Sequence, residues 1–498
     1  MVKILDCTLR DGGYYTHWDF DSLLVESYLK TMSILPIEYI EIGYRGIIQE
    51  QYEGEYYYLP ISTLQKCKNF SGGKSLAVMI NLKEINEETI VSSLSPCVGI
   101  IDLVRLAVRP QDILYATKIS KIIKSMGFLV ATNIMYMSTW KNIESFFVDL
   151  KNLEGNVDYV WMVDSYGAVL PNEISDLVKQ VKSTLSCPIG FHGHNNLELA
   201  FANSLQAIQS GCELIDSTIT GMGRGAGNLK TELLLVYLSK NGVAIDFYKL
   251  SHIVDVFEKM QVDYGWGTNI PYMISGVNSL PQKDIMEMMS KRRYSVPSIV
   301  EILQNSVVKN QVSYQAWNFN FQDNVILIGG GVSVNKHAQV IVDLVKKLDM
   351  SVVFTSAKHL ELIESLDKSD CCVCLVGQEG HRLDDYNTLF NENVKFVVNS
   401  KLNVETYVPV ALKKQTYELP ITQPDLPFLD SPLTMALQLV GVRNVFMVGF
   451  DGYQSRELDA YDLMQENQLI IDTYKGNLIS LLPTLYKNIK LRSIYSYE

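Results

Sequence analysis

Two histidines two positions apart, in the run Gly190-Phe191-His192-Gly193-His194-Asn195-Asn196, are the residues of this chain best suited to hold a metal ion. In an extended segment side chains two apart point the same way, so both imidazoles can meet one ion, and Gly193 keeps the position between them slim. A second run, Leu5-Asp6-Cys7-Thr8-Leu9-Arg10-Asp11-Gly12-Gly13-Tyr14, supplies a carboxylate at Asp11 and a guanidinium at Arg10. Two neutral nitrogens and one carboxylate suit a six-coordinate divalent cation with open positions, which a 2-oxo acid can fill through its carboxylate and keto oxygens. The chemistry implied is the making or breaking of a carbon–carbon bond beside the keto group, with cation and Arg10 stabilising the enolate.

A third run carries glycines at alternate positions, Thr220-Gly221-Met222-Gly223-Arg224-Gly225-Ala226-Gly227-Asn228-Leu229-Lys230-Thr231-Glu232. Such a loop lets backbone N–H groups approach an anion, or moves as a lid, which makes Gly223, Arg224, Gly225 and Gly227 candidate substrate-loop residues. A plain flexible connection is the competing explanation.

For these runs to meet, the elements that carry them must open on one mouth. Short apolar, β-branched stretches recur at 3–7, 39–43, 76–80, 100–106, 129–134, 159–163, 189–192 and 214–219, separated by segments that often show helical spacing. Eight such βα units predict a (β/α)8 TIM barrel with its chemistry at the C-terminal ends of the strands. The run around Arg10 and Asp11 then falls at the strand-to-loop junction of strand one. Strand seven stands two removed from strand one, so Asp11 can join the histidines as a third ligand. Glu41 and Arg105 fall near the mouth, as functional residues or as an ion pair inside the barrel. The expected α/β organisation is the barrel at 1–245, a helical extension at 246–318, and a Rossmann-like α/β domain at 319–498.

Taken together, Asp-x-Thr-Leu-Arg-Asp-Gly at 6–12, His-x-His-Asn-Asn at 192–196 and Gly-Asn-Leu-x-Thr-Glu at 227–232 resemble the motifs of the DRE-TIM metallolyase superfamily, in family order, over roughly residues 1 to 285. That superfamily includes 4-hydroxy-2-oxovalerate aldolase, hydroxymethylglutaryl-CoA lyase, isopropylmalate synthase and homocitrate synthase. The resemblance implies Asp11, His192 and His194 as metal ligands, Asn228 as a further ligand or metal-shell residue, and Arg10 as the enolate-stabilising residue. The cation implied is Mn2+ or Mg2+, with Co2+ or Zn2+ also compatible. The likeness is greatest to the aldolase branch, whose active-site tyrosine lies in a post-barrel region similar to 266–272; Tyr272 is the candidate, against a tyrosine merely packed in a helical interface. The lyase branch uses a cysteine in the loop after strand eight, and this loop has none. Those aldolases carry a histidine general base shortly after Arg-Asp-Gly, where this chain has Tyr14, with a histidine only at His17. An imidazole is the better proton acceptor near neutral pH, so His17 is favoured over Tyr14, with a metal-bound water or hydroxide as the alternative.

The resemblance says nothing of the C-terminal third. There the turn at Gly329, Gly330 and Gly331 is similar to a Rossmann phosphate-binding turn, yet Val334 stands where GxGxxG has its third glycine and no acidic residue ends the next strand, which argues against NAD. A nucleotide, a sugar phosphate or a partner subunit is compatible, with the 449–453 turn as a second wall. A net charge of -12 makes nucleic acid an unexpected partner. No apolar run approaches the roughly 20 residues that span a bilayer. The absence of a signal-peptide pattern, and eight cysteines scattered through the chain, the tightest group (Cys371, Cys372 and Cys374) in an apolar strand-like run, predict a cytoplasmic protein with reduced thiols. The helical extension predicts a homodimer. The expected activity is a metal-dependent aldolase acting between a pyruvate-type enolate and an aldehyde in a 4-hydroxy-2-oxo acid. Three readings compete: a Claisen-type transferase condensing acetyl-CoA with a 2-oxo acid, a non-haem iron oxygenase, and a binding protein with a degenerate barrel. Thioester-dependent turnover, oxygen consumption, and absence of both metal and turnover would mark them in turn.

Overall fold

The computed structural model describes residues 2–497 apart from 291–295, 309–313, 367–369, 378, 387–389, 391–392, 400–405, 420–422 and 454–457. They form two compact units, Met1–Glu287 and Met288–Glu498. The helices expected as a separate extension divide between them, with Phe247–Tyr264 and Ile270–Val277 in the first and Val296–Val308 in the second.

In the first unit eight parallel strands close into a barrel: β1 (Lys3–Asp6), β2 (Tyr39–Tyr44), β3 (Ser75–Asn81), β4 (Leu103–Val108), β5 (Leu129–Ile134), β6 (Tyr159–Asp164), β7 (Ile189–Gly193) and β8 (Leu214–Ser217). Closure is made by β8 on β1, with Leu5 opposite Asp216. Alternation decides the layers. Ile4, Ile40, Val78 and Val160 face outward into the core shared with the surrounding helices. Leu5, Tyr39, Ala77, Leu103, Ala131, Trp161 and Leu214 pack inside the barrel. Two residues further along the strands the lumen turns polar, with Glu41, Arg105, Asn133, His192 and Asp216 all buried. Gly190 is required beside this layer, because a Cβ there would collide with the Trp161 ring.

Arg105 ties the polar layer together. Its guanidinium reaches Glu41 at 3.1 Å and Asp216 at 2.6 Å, donates to Asn133 Oδ1 at 3.1 Å, and lies 4.3 Å from the Trp161 ring centre. Arg105→Met leaves two carboxylates buried without that partner, and unfolding in urea should show a loss of about 3–5 kcal/mol. A loss below about 1 kcal/mol would mean that the network contributes little to the barrel.

The segment after β1 differs from expectation. Thr8–Thr16 is a helix, not a loop, so Arg10 and Asp11 sit on its first turns. The helix is tightly packed at Gly12 and Gly13: a Cβ on Gly12 would stand 2.5 Å from Met222 Sδ, and one on Gly13 would collide with the Trp18 ring.

In the second unit nine parallel strands form one sheet: β9 (Gln315–Ala316), β10 (Val325–Ile328), β11 (Ser351–Phe354), β12 (Cys371–Cys374), β13 (Val394–Asn399), β14 (Thr416–Leu419), β15 (Asn444–Val448), β16 (Asn477–Ser480) and β17 (Lys490–Leu491). Their order is β17-β16-β15-β10-β11-β12-β13-β14-β9. Ile326 and Ile328 face the helix Ala338–Lys347, whereas Val325 and Leu327 face the helices Pro432–Val440 and Leu458–Thr473. The sheet is thus covered on both sides, as a parallel sheet must be. All eight cysteines are free thiols, Cys187 half-buried and the others buried. Among the described residues no helix is long and apolar enough to cross a membrane.

Candidate active site

Asp6 joins the first and third sequence motifs. Its carboxylate accepts from the hydroxyls of Thr8, Tyr28 and Thr231, and Thr8 Oγ1 in turn accepts from the Ile219 N–H at 2.9 Å. Glu232 accepts from the Thr220 N–H at 3.0 Å. These residues clamp the β8 loop to β1. Asn228, within that loop, donates from Nδ2 to Asp11 Oδ2 at 2.7 Å.

The Asp11 carboxylate lies at the meeting point. Its Oδ2 is 3.6 Å from His192 Nε2, its Oδ1 is paired with Arg10 Nη1, and the two histidine rings stand 4.9 Å apart. Burial opposes ionisation of Asp11, but Arg10 and the two imidazoles outweigh it and hold its pKa below the usual carboxylate value. Burial, reinforced by His192, drives the His194 pKa down to about 3, so this imidazole is neutral at physiological pH.

Each histidine is turned by a partner on its far side. His192 Nδ1 donates to Asp216 Oδ2 at 2.9 Å, and His194 Nδ1 donates to the Asp164 carbonyl at 2.7 Å. Because both partners are acceptors, the protons sit on Nδ1 and the Nε2 lone pairs are left for a cation. Asn228 Oδ1 is buried and, among the described residues, has no hydrogen-bond partner. The donor chemistry of Asp11, His192 and His194 suits a divalent cation, and the Asn228 amide beside Asp11 carries a further oxygen donor. Among the described residues the three ligand atoms that lie within 4.8 Å of one another are those of Cys7, His192 and Asp216. There, however, Asp216 is already taken by Arg105, His192 and the Trp161 Nε1–H, and burial pushes the Cys7 thiol far up, so this group supports His192 from behind.

Arg10 is fixed by Glu41, which accepts from its Nε at 2.7 Å, and by Asp11. Its Nη2 has no carboxylate partner among the described residues. Tyr14 shares a hydrogen bond with Tyr44 at 2.9 Å, and the Arg224 guanidinium lies 4.4 Å from its ring centre. His17 is elsewhere: its side chain is 69% exposed, 3.7 Å from Glu53, and among the described residues no contact joins it to Asp11, His192 or His194. It caps the first helix with φ 53°, which turns the chain outward. The structure thus places His17 at the surface, apart from the three ligand candidates.

The glycine loop is packed rather than loose. A Cβ on Gly223 would collide with the Asn228 amide, one on Gly227 with the Gly221 carbonyl, and one on Gly225 would lie 3.0 Å from the Tyr272 ring. Tyr272 is buried against this loop and hydrogen-bonded to Tyr15; burial raises its pKa to about 12. Asn196 ties it in place by donating to the Tyr272 carbonyl at 2.8 Å. Sequence reasoning missed Asp216 and the Asp164 carbonyl. A lone acid inside the apolar strand 214–217 was the available signal for Asp216; a main-chain acceptor leaves none.

A family model described as HMGL-like matches residues 109–259. The chain is 30% identical over 264 residues to the 4-hydroxy-2-oxovalerate aldolase of Geobacillus genomosp. 3, covering 51% of this chain and 77% of that one. With the enzyme of the same name from Moorella thermoacetica the identity is 27% over 313 residues, 59% of this chain and 92% of the relative. Among solved structures, the N-terminal domain of a Bacteroides vulgatus protein assigned as an aldolase is 47% identical with a TM-score of 0.57, covering 60% of this chain and 99% of that domain.

Proposed function

The chain belongs to the HMGL-like family and is an enzyme of the lyase class; from that premise we propose that it cleaves a 4-hydroxy-2-oxo acid into pyruvate and an aldehyde, or joins the two in reverse. The observation that carries this reading is Asp11 Oδ2 3.6 Å from His192 Nε2, with the His194 ring 4.9 Å from the His192 ring, both imidazoles anchored through Nδ1, beside the Arg10 guanidinium. Asp11, His192 and His194 would hold Mn2+ or Mg2+, with the Asn228 amide oxygen as a further donor. When bound, the cation supplies Lewis acidity that polarises the keto group and stabilises the enolate.

In the retro-aldol direction a base takes the proton of the 4-hydroxyl, the C3–C4 bond breaks, and its electron pair moves onto the C2 oxygen as the aldehyde leaves. Arg10 holds a fixed positive charge toward that oxygen, and protonation at C3 gives pyruvate. We assign the proton acceptor to Tyr14, which lies among Tyr44, Arg224 and the helix carrying Arg10 and Asp11. Tyr14→Phe should lower kcat about 100-fold or more, while His17→Ala leaves kcat/KM within about twofold. The reverse pattern in a pyruvate-release assay would return the role to His17.

The active form is, on this reading, a cytoplasmic homodimer. Light scattering should then give twice the chain mass of 56.3 kDa, and a single-chain mass refutes it.

A further inference from the structure

The second unit holds a cleft of about 1210 Å³ that the reaction above does not use. It opens where the strand order reverses: β10 continues outward through β11, and β15 through β16. In open parallel sheets the loops leaving two such strands part to opposite faces and leave a crevice at their carboxyl ends, where ligands bind. Here those loops are the turn at 329–331 and the loop at 449–453, and both line the cleft.

The turn is locked from below. Gly331 donates its N–H to the Gly449 carbonyl at 2.8 Å, and His359 Nε2 donates to the Gly331 carbonyl at 3.1 Å. Asp451 accepts from both the N–H and the hydroxyl of Ser333. A Cβ on Gly329 or Gly331 would come within 2.5 or 2.6 Å of the Gly449 oxygen, so these glycines are needed for the two loops to meet. The N–H groups of Gly330 and Val332 have no acceptor among the described residues. Lys358 runs alongside Gly330, its Cδ 3.2 Å from where a Cβ on Gly330 would stand. Lys336 lines the same cleft, and among the described residues neither lysine forms an ion pair.

Four carboxylates also line the cleft, Glu379, Asp430, Asp451 and Glu466, with Asp430 just ahead of the helix Pro432–Val440. Glu379 is occupied by the Ala357 N–H and by Arg382 at 3.4 Å, and Asp451 by Ser333. Glu466 and Asn467 come from the helix Leu458–Thr473, which packs on the opposite face of the sheet from Lys336; Asn467 is fixed by donating to the Tyr486 hydroxyl at 3.0 Å. One side of the cleft therefore carries two lysines and, among the described residues, two N–H donors without an acceptor, and the other carries the polar side chains of Glu466 and Asn467.

We propose that this cleft binds a phosphate ester of nucleotide or sugar-phosphate size. Its phosphate lies against the 329–332 turn with Lys336 and Lys358, and its hydroxyl-bearing part lies toward Glu466 and Asn467. Two ammonium groups and two open N–H donors suit a dianionic oxygen cluster better than a carboxylate or a neutral sugar. Thr355 and Ser356, in place of an acid at the end of β11, fit this better than NAD.

The test is calorimetric titration of the full chain with AMP, GMP, CMP, UMP, their diphosphates and glucose 1-phosphate, repeated with inorganic phosphate as competitor. At least one ester should bind, phosphate should displace it, and Lys336→Ala with Lys358→Ala should weaken it at least tenfold. Both lysines are exposed, so the variant should fold, as unchanged circular dichroism and melting would verify. Binding by nucleotides alone assigns the cleft to a nucleotide, and binding by glucose 1-phosphate alone to a sugar phosphate. No binding by any ester at millimolar concentration, or equal affinity in the double variant, overturns the proposal.

Discussion

His192→Ala should remove tight metal binding and lower retro-aldol turnover by about a thousandfold or more. The ring is buried and supplies Nε2 3.6 Å from Asp11 Oδ2 while its Nδ1 holds Asp216 at 2.9 Å. Truncation deletes one ligand and also leaves Asp216 with one donor fewer. Two controls separate these effects. Asp216→Asn keeps the ligand but weakens its orientation, so metal affinity should fall only about 10- to 100-fold. Metal content measured beside circular dichroism shows whether the barrel survives, and a folded His192→Ala protein that retains stoichiometric metal would remove His192 from the ligand set.

The second large effect is expected at Arg10. Glu41 and Asp11 hold this side chain in one orientation, so its charge is in place before the enolate forms. Fixed charge aimed at an oxyanion is worth about 100- to 1000-fold in kcat. Arg10→Lys should lose most of that, because an ammonium is a single point charge and cannot serve Glu41, Asp11 and a developing oxyanion at once. The loss should fall on kcat, with KM changed less than about threefold. A rise in KM at constant kcat would make Arg10 a residue that only binds the substrate carboxylate.

The barrel was legible because its signals are strong. Each of the eight strands is apolar and β-branched, and the distance between them leaves room for one helix, so β1 to β8 appear within a few residues of their expected places. The HxH pair was legible for a similar reason: period-two geometry in a strand leaves the two rings little choice. What stayed hidden depends on contacts distant in sequence. The packing of Met222 and Trp18 on Gly12 and Gly13 is one such contact. His17 looks like a base until its φ of 53° turns it to solvent. In the second unit β10 to β13 and β15 carry apolar runs of the kind that local pattern reveals. The edge strands β9 and β17 and their neighbours β14 and β16 are two to four residues long, with exposed or half-buried positions, and gave no periodic signal. The pairing of the 329–331 and 449–453 turns rests on a strand order that local pattern does not encode.

The most direct test of the central claim is a titration of metal-depleted protein with Mn2+, following pyruvate release from a panel of 4-hydroxy-2-oxo acids. Pyruvate and aldehyde should appear in equal amounts, in proportion to metal bound, up to one ion per chain. Metal uptake with no pyruvate from any substrate, together with turnover of acetyl-CoA and a 2-oxo acid, would contradict it.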